Sequence, residues 1–328
     1  MSKKDKPMRV KLIVNPGAGN VLMAASRLEQ ATSCLLESGI KVDVAFARPK
    51  KEAIPIAQKA VKDGYDVVIA MGGDGTIGAV IRGIAGSKTR LGIIPAGTSN
   101  DIARSLGIPE DLKEACAIIA SGNTRKVDLG RITTKDEKNH YFFMMIAIGL
   151  TATLYPMVND VPNGKFGGVM EAIKTIFRYK PNPLVNLTLD DDSKIEVETM
   201  LVTITNTPVT GVKNLVAPDA SMEDGLLDIS VYPGFTKPEL LKYFIKTAHE
   251  GATPDGRIQR YRARKIKVKT SPKLDISAEG MIVGRGTAWI ELLPGAMRVI
   301  APEIGSGSEK LPKKASKKMS APVSPVAK

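Results

Sequence analysis

The residues best able to do chemistry lie at Met71-Gly72-Gly73-Asp74-Gly75-Thr76, where the apolar run Val67-Val68-Ile69-Ala70 stops in a glycine-rich turn and a helical pattern begins. Strand, tight loop and helix is the reading. These glycines allow φ > 0 and a close backbone approach to a ligand, and the helix that follows offers free N–H groups and the positive end of its dipole. The expected guest is an anion, above all a phosphate. A plain strand-to-helix turn would need only one such glycine. The fourth strand, Leu91-Gly92-Ile93-Ile94-Pro95, opens in the same way into Ala96-Gly97-Thr98-Ser99-Asn100-Asp101-Ile102-Ala103-Arg104, and the first, Val10 to Val14, ends in Asn15-Pro16-Gly17-Ala18-Gly19. Small-residue loops at several strand ends make a phosphate-ligand site the expectation. Thr98, Asn100 and Asp101 also belong to the residue types that cap helices, and capping is compatible with ligand binding.

The elements that must carry these loops alternate. After the first strand comes a helix from about Asn20 to Ser38 closed by Gly39, then a strand from Lys41 to Ala47 and a helix containing Ile54, Ile56, Ala57, Ala60 and Val61. The strand ending in the Gly-Gly-Asp-Gly loop leads to a helix from Thr76 to Ala85. Nearly continuous apolar strands between helices mean a parallel sheet covered on both faces, with ligands at the carboxyl ends of its strands. From about Arg131 the pattern changes to short β-type runs: Tyr141 to Ile148, Leu184 to Leu189, Ile195 to Thr205, Leu227 to Tyr232, Lys265 to Thr270 and Ala288 to Leu293. Turns such as Asp190-Asp191-Asp192 separate them, and only Gly167 to Arg178 and Lys237 to Ala248 read as helices there. The predicted fold class is therefore α/β + β: a doubly wound parallel-sheet nucleotide-binding domain over residues 8–130, then a β-sandwich-like domain over 131–302. The last strand is placed where it can return to the first domain.

Composition narrows the partners. With 328 residues and 43% hydrophobic content, two domains of ordinary size fit, and a net charge of +13 suits a polyanionic partner such as nucleic acid, an anionic membrane surface or a phosphorylated ligand. Aromatic content is 5% with a single tryptophan, so the stacking platform of single-strand binders is missing and no nucleic acid is expected. Cys34 and Cys116 sit in helical patterns without metal-ligand or disulfide spacing, which suits a reducing cytosol. The charged start, Met1 to Pro7, has no apolar core or cleavage site for export, and no apolar run is long enough to span a bilayer. A cytoplasmic protein is expected, meeting any membrane peripherally from the inner face. The tail, residues 303–328, is poor in apolar residues and clusters Lys310, Lys313, Lys314, Lys317 and Lys318, so it is expected to be disordered. It serves either as a solubilising segment or as an arm for anionic lipids. His140 and His249 stand alone and read as surface or packing residues.

Gly72-Gly73-Asp74-Gly75-Thr76 together with Pro95 to Arg104, preceded by Asn15-Pro16, resembles the catalytic domain of the diacylglycerol-kinase-type lipid kinases, relatives of sphingosine and ceramide kinases. The likeness continues through Lys165-Phe166 to Tyr179-Lys180-Pro181, Ala217-Pro218 with Asp224-Gly225-Leu226-Leu227-Asp228, and Leu293 to Ile300. NAD kinases share only the Gly-Gly-Asp-Gly loop. The resemblance implies an ATP-dependent lipid kinase whose lipid head group enters between a nucleotide-binding domain and a β-rich domain. Asn15, Pro16, Gly17, Ala18, Gly19, Gly72, Gly73, Asp74, Gly75, Thr76 and Thr98 would hold ATP as co-substrate. Asp74 and Asp101 would bind the catalytic Mg²⁺, directly or through water. Asp224, with the carbonyls of Ser221 and Leu226, would hold a separate structural Mg²⁺; an ordinary Asp-Gly turn is the alternative there. The lipid substrate would be met at a membrane surface, and a homodimer is left open.

The sequence departs from the family at the base. Where the family has Asp-Gly-Glu before the last strand, this chain has Glu279-Gly280-Met281, so Glu279 would take the acceptor proton with one extra methylene. Met281 replaces a carboxylate, and a thioether is a poor ligand for Mg²⁺. Met144, Thr151 and Gly78 replace polar family residues, and Val212-Lys213-Asn214 interrupts a glycine run after Gly211. Three functions follow: a lipid kinase, a nucleotide- or lipid-binding relative with weak or no kinase activity, and a kinase of a soluble acceptor.

Overall fold

A computed structural model of the protein describes residues 8–17, 24–48, 52–152, 183–208, 217–250 and 255–303. Within these the chain divides into two compact units, with boundaries at Leu129/Gly130 and Leu293/Pro294. The final strand is divided between them.

The first unit is a parallel sheet. In chain order it contains β1 (Val10–Val14), α1 (Ala24–Glu37), β2 (Val42–Phe46), α2 (Ala53–Lys62), β3 (Val67–Gly72), α3 (Asp74–Ile84), β4 (Arg90–Pro95), α4 (Asp101–Ser105) and α5 (Leu112–Ser121). Strand order is β2-β1-β3-β4, each pair parallel, with β4 also meeting Val299 of the last strand. Every residue of β3 is buried, as its unbroken apolar sequence requires of a central strand covered on both faces. One core cluster joins Leu12, Val67 and Ile69 to Ala31 and Leu35 of α1 and Cys116 and Ile119 of α5. The chain turns to β2 on one side of β1 and to β3 on the other. That reversal puts the β1 and β3 loops at the switch point, where open sheets of this kind leave a crevice.

The second unit is antiparallel. It takes the end of β5 (Thr124–Thr134), then β6 (His140–Phe142), β7 (Met145–Gly149), β8 (Leu184–Leu189), β9 (Ser193–Thr205), β10 (Leu227–Pro233), α6 (Lys237–Glu250), β11 (Gln259–Ala263), β12 (Lys265–Ser271), β13 (Asp275–Ala278), β14 (Met281–Arg285) and the start of β15 (Thr287–Ile300). β12 alternates exposed and buried residues without a break, the signature of a strand with one wet face. Long β9 serves two sheets: Ser193 to Glu198 pair with β8, and Thr199 to Thr205 pair with β10 and β7. Switching one strand between sheets closes the corner of a sandwich. The inner faces meet in a cluster that includes Val185, Leu187, Val202, Ile204, Ile229, Val268, Ile276 and Ile290.

Two sequence expectations change here. The single run from Tyr141 to Ile148 is broken at Phe143-Met144 into β6 and β7, and Ala288–Leu293 and Leu293–Ile300 join into one strand. The expected helix at 167–178, the motif at 165–181, the segment 211–214 and the tail from 304 on lie outside the described residues.

Candidate active site

The loops after β1, β3 and β4 are laced together by their backbones. Asn15 N–H donates to the Met71 carbonyl at 3.1 Å, and Ala96 N–H donates to the Gly72 carbonyl at 2.9 Å. The Asn15 amide reaches the Thr76 hydroxyl at 3.2 Å, while its own oxygen accepts from Gly17 N–H at 3.0 Å. Gly73 is the residue before α3 and has no side chain with which to cap it. A helix start left in this state is a natural seat for phosphate oxygens.

The glycines are required for a different reason from the one the sequence suggested. Gly72, Gly73, Gly75 and Gly97 all avoid positive φ. What excludes larger residues is space. A Cβ on Gly97 would stand 2.4 Å from the Gly73 Cα, and one on Gly72 would stand 2.6 Å from the Thr76 hydroxyl oxygen. Gly75 differs, since nothing lies within 4 Å of the position a Cβ would take. The left-handed residue is Asn100, at φ 50°, whose side chain folds back to accept from Gly97 N–H at 2.9 Å and donate to the Gly97 carbonyl at 3.1 Å. Asn100 therefore shapes the β4 loop and makes no side-chain cap to α4.

That cap comes from the other loop. Asp74 Oδ1 accepts from Ile102 N–H in the first turn of α4 at 2.9 Å, across 28 residues of sequence. Asp101 is buried beside Arg104 at 3.4 Å, and Arg104 also donates to the Ser99 carbonyl at 2.9 Å. Pro16, Gly17 and Thr98 are exposed at the loop tips, and Ala18 and Gly19 lie outside the described residues. Hard Mg²⁺ asks the protein for one or two carboxylates and takes its remaining oxygens from phosphate and water, so the donor chemistry of Asp74 and Asp101 suits it.

In the second unit Glu279 and Gly280 form the two-residue turn between β13 and β14, with Ala278 opposite Met281. Their φ values, 49° and 77°, are those of a type I′ hairpin turn. The turn is anchored by Glu279 N–H to the Met145 carbonyl at 3.0 Å. Glu279 Oε1 then accepts from Phe143 N–H at 2.6 Å and Met144 N–H at 3.1 Å. These two amides serve the carboxylate in place of a ladder, which is why the predicted strand breaks at this point. Met144, counted as a lost polar side chain, contributes through its backbone.

Asn206, which the sequence reading passed over, completes the arrangement. It is fully buried; its side-chain amide donates to the Phe143 carbonyl at 2.9 Å and its backbone N–H to the Met144 carbonyl at 2.8 Å. Its one sequence signal is an amide at the end of the apolar run of β9.

Around the expected second Mg²⁺ set the side chains are engaged. Asp224 Oδ1 accepts from Leu226 N–H at 3.1 Å in a local Asp-Gly turn, its other oxygen is taken by the Arg262 guanidinium, and Ser221 Oγ accepts from Glu223 N–H at 3.2 Å. Arg262 also faces Asp228 at 3.3 Å, where burial pushes the Asp228 carboxyl above its usual range. The guanidinium places a positive charge beside the carboxylate expected to meet the metal. Among the described residues no group of three or more His, Cys, Asp or Glu is arranged to hold a metal. Nor is any helix among them long and apolar enough to cross a membrane. His140 is buried and its Nδ1 meets Glu137 at 2.5 Å, a packing role.

Comparison with known proteins covers both units. Residues 9–132 match the diacylglycerol kinase catalytic domain, and residues 144–301 match the YegS C-terminal NAD kinase beta sandwich-like domain. A diacylglycerol kinase of Mycobacterium tuberculosis is 30% identical over 301 residues, which is 90% of this chain and 96% of that protein. A crystal structure of a diacylglycerol kinase from Bacillus anthracis superposes with a TM-score of 0.71 at 23% identity, covering 92% of this chain and 99% of that one. The same fold reaches an NAD kinase from Archaeoglobus fulgidus in complex with ATP, at TM-score 0.52 and 14% identity over 90% of this chain and 94% of that one.

Proposed function

Because this chain belongs to the diacylglycerol kinase family, we propose that it transfers the γ-phosphate of ATP to the hydroxyl of a lipid of the diacylglycerol type. The observation that carries this reading is the start of α3, which has no side-chain cap because Gly73 precedes it, set against Gly97 of the next loop with Asp74 turned to Ile102. Phosphoryl transfer asks a protein mainly for positioning and charge stabilisation. Backbone amides at the start of α3, with Thr76 and the β1 loop, hold the phosphates of the nucleotide. Asp74 and Asp101 hold Mg²⁺, which when bound neutralises phosphate charge.

Glu279 is the base. It takes the proton of the lipid hydroxyl as that oxygen attacks phosphorus, while the bond to the β-phosphate oxygen breaks and ADP leaves. The Phe143 and Met144 amides fix the carboxylate through one oxygen, so its aim is set before substrate arrives. Met281 favours a second reading: a thioether where the family places a carboxylate weakens metal retention, which suits a relative that binds nucleotide and turns over slowly.

The test is transfer from labelled ATP with Mg²⁺ to diacylglycerol, ceramide, a sphingoid base, phosphatidylglycerol and glycerol in mixed micelles, with Asp74→Asn and Glu279→Gln alongside. Transfer to one lipid, lost in both variants, supports the lipid kinase. Nucleotide binding without transfer supports the second reading, and transfer to glycerol alone overturns the lipid acceptor.

A further inference from the structure

The outer face of β12 carries Lys265, Lys267 and Lys269 in succession, all exposed, with buried Ile266 and Val268 between them. Across the ladder from Lys267 stands Trp289, the only tryptophan of the chain, 51% exposed, with the Lys267 ammonium 5.9 Å from its ring centroid. Beside them is a cavity of about 310 Å³ lined by Arg131, Asn139, Lys265, Lys267 and Trp289 among others. The acids on this part of the face are engaged: Glu291 pairs with Arg131 at 2.6 Å and Asp191 with Lys265 at 3.8 Å. Glu196 and Glu198 lie two strands away on β9, beyond β8, and bound the patch on that side.

We infer that this face is a docking surface for an anionic lipid bilayer, with Trp289 at the headgroup level and the lysine row over the lipid charges. An exposed indole with an apolar body and a polar N–H suits the boundary between headgroups and acyl chains. Lysines reach past it on flexible stems, and each adds attraction to a negatively charged leaflet. A single-stranded nucleic-acid partner would call for several stacking aromatics, and among the described residues of β12 and β15 there is one. The recess beside the indole is lined by Arg131, Lys265 and Lys267 together with Asp191 and Glu291, and Lys267, the cation there that faces the indole, is the one to meet a phosphate headgroup. The inference deepens the lipid-kinase reading and rests on it for its purpose, but docking is read without ATP.

The experiment uses the full chain and its single tryptophan. Emission is followed on titration with vesicles of phosphatidylcholine alone and of phosphatidylcholine with phosphatidylglycerol, with sedimentation in parallel. The expected result is a blue shift and sedimentation with phosphatidylglycerol vesicles only, reversed by high salt. Lys267→Gln and Lys269→Gln should each weaken binding about fivefold, and Trp289→Phe should weaken sedimentation. Vesicle binding with unmoved emission would assign docking to another part of the chain and overturn the inference, as would no binding. An equal shift with inorganic phosphate would make the recess an anion site and also overturn it. Transfer to micellar lipid by the lysine variants is the separating control: intact transfer with lost docking keeps the kinase reading, and docking without transfer keeps the surface.

Discussion

The Asp74 carboxylate accepts a hydrogen bond from the Ile102 amide at 2.9 Å, so a residue of the loop after β3 caps the helix that begins after β4. Structure and chemistry meet in one side chain, and two substitutions separate them. Asn keeps an oxygen for Ile102 and removes the charge, whereas Ala removes both. Asp74→Asn should therefore melt close to wild type yet lose phosphate transfer. Asp74→Ala should lose transfer and also about 1 kcal/mol, the usual value of a cap. Thermal melts beside transfer rates check this, and an Asn variant as unstable as the Ala variant would show that the charge is the structural element.

Gly97 and Gly75 offer a paired test of why the loops are rich in glycine. A methyl at 97 meets the Gly73 backbone at 2.4 Å, while a methyl at 75 meets nothing within 4 Å. Gly97→Ala should cost about 1–3 kcal/mol as an overpacked site and weaken nucleotide binding. Gly75→Ala, near the start of α3, should be neutral in melting or gain up to about 1 kcal/mol. Denaturant midpoints decide between them.

Glu279 and Asn206 hold the Phe143-Met144 segment from its N–H and C=O sides respectively. Gln at 279 can still accept from both amides through its oxygen, so Glu279→Gln should stay folded while transfer falls by roughly 10²–10⁴, the range for a lost general base. Asn206→Ala withdraws the donor from the buried Phe143 carbonyl, at a cost of about 1–3 kcal/mol. It should also lower kcat more than it changes the KM for ATP. If Glu279→Gln left the rate intact, the base would lie elsewhere.

The alternating strands and helices of the first unit were legible because each strand is an apolar run that needs cover on both faces, as Val67–Gly72 shows. Three of the strands the sequence reading passed over have no such mark. Gln259–Ala263 is charged and polar, Asp275–Ala278 is four residues long, and Met281–Arg285 contains a glycine; their state is set by cross-strand partners. The same limit applies to the site. Glycine spacing announced the turns after β3 and β4, but the Gly73 to Gly97 contact and the role of Asn206 depend on neighbours 24 and 63 residues away. Arg262 was hidden for the same reason: only the register of β10 with β11 brings it to Asp228.

The start of α6 gives a pH prediction. Glu239 accepts from the Thr236 hydroxyl at 2.6 Å and from Thr236 N–H at 2.8 Å, and Arg257 lies at 3.1 Å. These donors, the Thr236 hydroxyl first, hold its carboxyl at about 2 against an ordinary 4.5. A depressed acid stabilises the fold fully above its unfolded value and loses that contribution as pH falls toward the folded one. Wild type should therefore lose more stability than Glu239→Gln between pH 4.5 and 2, so that their melting temperatures converge. A constant gap across that range would assign the effect to packing.

Arg262 gives a prediction for how melting of the second unit responds to Mg²⁺. Its guanidinium holds Asp224 and Asp228 together, with side chains that are 44%, 30% and 17% exposed respectively, so the pairs are partly screened and stabilise modestly. Because that charge is already supplied, melting of the nucleotide-free wild type should be unmoved by millimolar Mg²⁺ or by EDTA. Arg262→Ala leaves two carboxylates facing each other beside the Ser221 to Leu226 turn. It should melt lower than wild type, recover with Mg²⁺, and fall again with EDTA. Arg262→Lys separates charge from geometry, since an ammonium keeps the positive charge and loses the planar fork; it should sit between the two and respond weakly to Mg²⁺. If the wild type itself were stabilised by Mg²⁺ without nucleotide and Asp224→Asn abolished the gain, the metal and not the arginine would hold this turn.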